Sequence, residues 1–443
     1  MKFILSLSIF FTINCFAQNG LTVVAVGEAE VVKEKILIES AYKDASVKAI
    51  DLKKIDKILN IVRNDFRFYA NYFHVLPKMI GQKDLNDVSY TALKSREVNY
   101  LIRTGTKRVA NQLTLEVKLF GINEEKELLS RSIPLALDIR EIAHSISDST
   151  YKKIVGKEPV FLHKIVFVSD AKRRSGTKEL YIMDFDGANI KQLTRHGGIV
   201  ISPAVSPDGR SILYSLIDET KKRGRNINLR LLDVKTKKSR LISSKKGINS
   251  GGVFTSDGKS IILTLSHQGN AELYKMSIAT GALQRLTKHG APDVDPSITS
   301  DGSLMTFLSG RPGKPMIYTM NPLSIENKVK RISYVGKFNA TPRFSPDGRE
   351  IVFSSWLDSR FDLFKINSDG SGLGRLTKDF GSNEDPDYSK DGQFIIFTSQ
   401  RVLSQRKAIQ NVYIMDTEGK VIGSLTENFG KCISPRWFKS LKI

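Results

Sequence analysis

A four-residue turn recurs through the C-terminal part of the chain and limits what it can fold into. It reads Ser206-Pro207-Asp208-Gly209, Thr255-Ser256-Asp257-Gly258, Thr299-Ser300-Asp301-Gly302, Ser345-Pro346-Asp347-Gly348 and Ser389-Lys390-Asp391-Gly392, at a spacing of 44 to 49 residues. Ser or Thr first, Pro second and Gly fourth suit a type I turn, in which Pro presets φ and Gly tolerates the exit geometry. Before each turn comes a short extended segment, usually entered through proline, as in Pro203-Ala204-Val205 and Pro342-Arg343-Phe344. After it comes an apolar run such as Ile261-Ile262-Leu263 or Ile395-Ile396-Phe397, short enough for a strand buried on both faces. A third segment, as in Asp362-Leu363-Phe364-Lys365-Ile366, and a fourth ending in Leu-Thr or a near equivalent complete each unit. Four strands per repeat predict one propeller blade.

The array is incomplete at both ends. Ser434-Pro435-Arg436-Trp437 is a first strand with too little after it, and Lys164-Ile165-Val166-Phe167-Val168 is a second strand with nothing before it. Pairing the two closes a ring of six blades and leaves no open sheet edge. The fold expected is mainly β: a six-bladed propeller over 158–443, preceded by a small α/β domain over 18–157 and a secretory signal over 1–17.

The signal rests on Lys2, the apolar or small run Phe3 to Thr12, and Cys15-Phe16-Ala17, which places the mature start near Gln18. An uncleaved anchor or a buried N-terminal helix is the alternative. Asn14 stands where lipidation at Cys15 requires a small residue. The α/β domain is predicted from strands near 21–26 and 36–39 and a helix over 51–64, with Ile55, Ile58, Leu59 and Val62 on its buried face and Arg63 off it. Strands at 100–103, 113–119 and 128–133 follow, then a helix from Asp138 to about Ile154 and a linker marked by Gly156 and Pro159.

The net charge of +22 raises the question of a polyanionic partner. The cations gather at 172–174, 221–225 and 235–246, segments that read as loops or strand edges, where solvated charge protects against edge pairing. Nucleic acid is not an expected partner of an exported chain; an anionic envelope polymer stays open. Loss of Cys15 with the signal leaves Cys432 alone, which excludes a disulfide within the mature monomer.

No G-x-S-x-G motif occurs, only three or four residues follow the last blade, and the histidines at 74, 144, 163, 196, 267 and 289 lack metal-ligand spacing. Catalysis is not expected, and no cofactor is expected. The segments entering the innermost strands read as loops around one channel mouth: Val200, Ile201, Ser202, Asn249, Ser250, Gly251, Val294, Asp295, Ala340, Thr341, Glu384, Asp385, Ile433 and Ser434. Varied side chains on a repeated frame suit protein recognition. Asp293, Asp295, Glu384 and Asp385 would offer oxygens to Ca2+, without the spacing of a calcium loop.

The signal, the α/β domain, the S-P-D-G and Leu-Thr elements and the shared final blade resemble those of the TolB family, periplasmic propeller proteins of the Tol–Pal envelope system. The departure is the charged stretch near 27–35. The resemblance implies a periplasmic monomer, peripheral to membranes, that supports outer-membrane integrity and cell division. It implies that the channel mouth receives the peptidoglycan-associated lipoprotein Pal, and that Gln18, Asn19, Gly20, Leu21, Thr22, Val23 and Val24 tether the inner-membrane protein TolA. Leu21 to Val26 has strand character and would either dock on its own domain or add to a partner's sheet. An exported propeller enzyme or a glycan-binding propeller is the alternative function.

Overall fold

The computed structural model describes residues 33–439 except 41–46, 78–83, 110–111, 172–175, 218–225 and 405–406. The signal, the segment 18–24 and the cation clusters at 172–174 and 221–225 lie outside the described residues.

The first unit is a mixed five-stranded sheet carrying helices. Its elements are β1 (Glu34–Ser40), α1 (Ala49–Phe68), β2 (Phe73–Val75), α2 (Tyr90–Lys94), β3 (Tyr100–Val109), β4 (Gln112–Gly121), β5 (Lys126–Pro134) and α3 (Ile139–Val155), in sheet order β2-β1-β3-β4-β5. The apolar stripe of α1 is buried as the periodicity predicts, Ile58, Leu59 and Val62 completely. Arg63 departs from prediction: it is buried, and its guanidinium donates to the Ile38 carbonyl at 2.6 Å, capping a backbone acceptor of β1. Helix α3 starts where the Asp138 carboxylate accepts from the Arg140 and Glu141 amides. It stops at Gly156, whose φ of 76° is the left-handed conformation that glycine adopts without strain. The short elements β2 and α2 were not foreseen.

Six four-stranded antiparallel sheets follow, each a blade. The first strands of blades 2 to 6 are Ile199–Val205, Asn249–Phe254, Asp293–Ile298, Asn339–Phe344 and Ser382–Tyr388. Blade 1 takes its first strand, Cys432–Lys439, from the C-terminus and pairs it antiparallel with His163–Ser169, Cys432 opposite Ser169 and Trp437 opposite Ile165. Each first strand also packs against the next, and the tail strand against that of blade 2, so the ring is closed. The expected pairing of 434–437 with 164–169 is the one observed. Cys432 is buried and unpaired, with its sulfur 3.5 Å from Ser169 Oγ.

The repeated motifs have distinct local roles. In the turns, the first hydroxyl donates to the Asp carboxylate at 2.6 Å, and the Asp accepts the amide two residues on at 3.0 to 3.2 Å. Gly209, at φ +68°, could take no side chain: a Cβ there would lie 2.2 Å from the Lys439 carbonyl, because the tail fills the sixth place in the ring of turns.

The Leu-Thr elements seal the outer edge of the blades. Thr287 Oγ1 accepts the Leu273 amide at 2.9 Å and donates to the buried Glu272 carboxylate at 2.6 Å. Thr194 does the same with Leu180 and Glu179, and Thr377 with Leu363 and Asp362. Without that hydroxyl a buried carboxylate and a buried amide would each lose a partner, a cost of about 1–3 kcal/mol.

The α/β domain sits against the turn end of blades 6 and 1 with a continuous apolar core. Tyr69 Oη donates to Asp391 Oδ2 at 2.6 Å and accepts the Val160 amide at 2.9 Å, while its ring lies 4.9 Å from that of Phe394. The same turn motif therefore has opposite electrostatics in different blades. Exposed Asp301 is held down to about 2 by hydrogen bonds from Thr299 and Ser303, whereas burial under Tyr69 pushes Asp391 up.

Candidate channel mouth

The sequence-predicted mouth residues lie inside the first strands and not in loops. In every blade two residues of the first strand face one of the second, a β-bulge, and the first of the two has a left-handed backbone. These are Ser202 (φ 51°), Gly251 (62°), Asp295 (53°), Thr341 (50°), Asp385 (55°) and Ser434 (51°). The ladder resumes after each bulge, as from Ser250 opposite Thr264 to Val253 opposite Ile262, which keeps the segment a strand. Proline follows the left-handed residue in every blade except blade 3, where Gly252 takes its place. Proline has no amide hydrogen to lose in the disrupted ladder, which is why Pro marked these strands in the sequence.

The bulges form a sixfold rim at one end of the channel. The first strands of blades 2 to 6 each run from a bulge to an Asp-Gly turn, so the rim lies at the end of the channel away from the α/β domain. Immediately before the left-handed residues stand Ile201, Ser250, Val294, Ala340, Glu384 and Ile433. One place further back are Val200, Asn249, Asp293, Asn339, Asn383 and Cys432, all buried. That inner set has a scaffolding role: Asn249 Oδ1 accepts from Ser243 at 2.6 Å, and Asp293 is ion-paired to Arg311 at 2.8 Å.

Charge in the channel lining is confined to four of the six blades. Blades 2 and 3 line the channel with Ala204, Val205, Gly252 and Val253, whereas blades 4, 5, 6 and 1 contribute Asp295, Arg343, Asp387 and Arg436. Arg343 is paired with Asp295 at 3.0 Å; burial works against its charge but Asp295, Asp387 and Asp385 outweigh it and raise its pKa. Arg436 donates to the Pro435 carbonyl at 2.7 Å; burial, then the nearby Arg343, lowers its pKa. Ser434 Oγ donates to Asp385 at 2.9 Å, joining blade 1 to blade 6 across the seam.

Glu384 is pushed up to about 7, first by burial and then by Asp385. An acid whose folded pKa exceeds its unfolded value holds its proton longer in the native state, so stability falls as pH rises from about 4.5 through 7. The variant Glu384→Gln is expected to lose that step, leaving Tm flatter across the interval. Thermal melts of both proteins at half-unit pH steps check this.

The acids named for Ca2+ face different partners: Asp293 meets Arg311, Asp295 meets Arg343, and Asp385 meets Ser434. Among the described residues, a group with metal-ligand proximity forms at Asp65, His144 and Asp186, where α1 and α3 meet blade 1. Arg140 stands within it, 3.0 Å from His144 Nε2 and ion-paired to Asp186, so the group reads as an ion-pair network between the domains.

Aromatic residues beside the mouth, Phe338, Trp356 and Phe361, were missed in the sequence, where each looks like an ordinary strand-end residue. Their proximity is a product of the fold.

A family model described as the TolB β-propeller domain matches residues 151–355. The Tol-Pal system protein TolB of Francisella tularensis subsp. holarctica (strain OSU18) is 33% identical over 284 residues, covering 61% of this chain and 62% of that protein. The protein TolB homolog of Chlorobium chlorochromatii (strain CaD3) is 34% identical over 201 residues, 45% of this chain and 43% of that one. The chain thus aligns with less than two-thirds of the length of these relatives. The crystal structure of TolB from Acinetobacter baumannii superposes with a TM-score of 0.74 at 24% identity, covering 93% of this chain and 98% of that one. The fold agrees with that structure across both domains, and the propeller repeats are similar in sequence to those of TolB proteins over residues 151–355.

Proposed function

We propose that the protein is a periplasmic adaptor of a Tol–Pal system, working by binding and not by catalysis. The bulge rim docks a Pal-like outer-membrane lipoprotein, and residues 18–24 engage a TolA-like inner-membrane protein. The observation that carries this reading is the rim: six bulges repeat the same left-handed backbone while their side chains change from blade to blade. A repeated frame with varied side chains presents a specific surface at little conformational cost. The naming of the Francisella relatives as Tol-Pal system proteins supports the assignment of the system. Among the described residues no helix is long and apolar enough to cross a membrane.

The test is titration of mature protein with the soluble domain of the same organism's Pal-like lipoprotein, followed by calorimetry. Asp295→Ala with Asp385→Ala should weaken binding about tenfold or more, and removal of residues 18–24 should leave this affinity intact while abolishing binding of the TolA-like protein. Unchanged Pal affinity in the double variant, or unchanged TolA affinity in the deletion, would refute the corresponding assignment.

A further inference from the structure

The mouth face is lopsided. On blade 5, Phe338 and Trp356 stack at 5.6 Å, and Phe361 meets both edge-on at 5.3 and 5.1 Å; all three are half-buried. The Phe361 amide donates to Ser382 Oγ at 3.2 Å, which ties this shelf to the start of blade 6. There the second and third strands, Phe394–Ser404 and Lys407–Asp416, are eleven and ten residues long, longer among the described residues than their counterparts in any other blade.

The first strand of blade 6 pairs no further than Ser382 with Gln400, but the hairpin continues through Arg401–Ile409 and Val402–Ala408. It therefore stands above the rim. Arg401 is braced over the Phe380 ring at 4.8 Å, while Val402 is 74% and Leu403 53% exposed. Tyr334, in the connection entering blade 5, is 71% exposed. The equivalent hairpin connections of blades 3 and 4, Ser266 to Asn270 and Gly310 to Lys314, contain no large apolar residue.

We infer that the docked protein sits off-centre, over blades 5 and 6, gripped between the aromatic shelf and the raised hairpin. Aromatics with Arg beside an exposed aliphatic pair form the composition of an interface core. The occupant is a protein surface that presents apolar side chains flanked by carboxylates, because Arg401 stands next to Val402 and Leu403 and Arg331 lies over the Tyr334 ring at 4.2 Å. This inference rests on the rim-docking reading above and adds where on the face the contact lies.

The test uses the full mature chain and the soluble domain of the Pal-like lipoprotein. Val402→Asp with Leu403→Asp alters exposed positions only, and Tyr334→Ala probes the far side of the shelf. Leu241→Asp, an exposed apolar position on blade 2 across the ring, is the control. The double variant should bind about tenfold more weakly or worse, mainly through faster dissociation, with Tyr334→Ala intermediate and the control unchanged.

Wild-type affinity in the double variant would overturn the off-centre contact while leaving rim docking standing. Failure of the wild type to bind would remove both. Binding of the wild type but not the double variant to phosphatidylglycerol vesicles would overturn it in favour of a lipid surface. A wild-type dimer in sedimentation that the double variant dissolves would overturn it in favour of self-association.

Discussion

Removing residues 432–443 should cost the propeller its cooperative unfolding. The tail supplies the innermost strand of blade 1, and Cys432, Trp437 and Phe438 are each at most 3% exposed. Without it, the apolar strand Ile165 to Val168 loses its partner and becomes an open edge, and the seam bond from Ser434 to Asp385 disappears. The single change Trp437→Ala is expected to cost about 3–5 kcal/mol, a large part of the roughly 5–15 kcal/mol that holds a typical domain folded. Urea titration followed by circular dichroism should show a much lower midpoint for Trp437→Ala. For the truncation it should show a broad, non-cooperative transition. Equal midpoints would mean that the tail strand does not bear on ring stability.

The second large effect is expected where the two domains meet. Arg140 of α3 reaches Asp184 at 2.9 Å and also pairs with Asp186, while Lys164 holds the other oxygen of Asp184 at 2.6 Å. Burial alone would raise the Asp184 pKa, but hydrogen bonds from Lys164 and Arg140 outweigh it and bring it below the ordinary carboxylate value. Arg140→Met leaves two carboxylates short of a partner in the interface, a loss of about 3 kcal/mol. Calorimetry should then resolve separate transitions for the α/β domain and the propeller, where the wild type gives one.

The pH dependence has a definite sign. An acid with a depressed folded pKa contributes stability above its unfolded pKa and loses it as pH falls through the folded value. The gap between wild type and Arg140→Met should accordingly narrow in acid. A gap constant down to pH 2 would contradict the ion-pair account.

Much of this architecture was legible in the residues because propeller repeats encode local structure. Asp-Gly turns, Pro-led strands and Leu-Thr endings each satisfy a backbone or side-chain requirement within one blade, so each leaves a mark in sequence. Closure was legible too, since an orphan strand at 164–168 requires one at 434–437. Arg63 was misread because its partner, the Ile38 carbonyl, lies on another element and no helical periodicity reports it. The residues before each proline read as loops because proline was expected to open the strand. Only the resumed ladder on either side makes them strand interruptions. Neither the aromatic shelf nor the raised hairpin could be foreseen, as both depend on which blade ends come together.

The central claim, that the bulge rim is the docking face, is tested most directly by hydrogen–deuterium exchange of the mature protein with and without the Pal-like soluble domain. The account predicts slowed exchange at 199–202, 249–251, 339–341, 382–385 and 400–409, with the Asp-Gly turns at 206–209, 255–258 and 299–302 unchanged. Protection confined to those turns, or to the outer strands of blades 2 and 3, would contradict it.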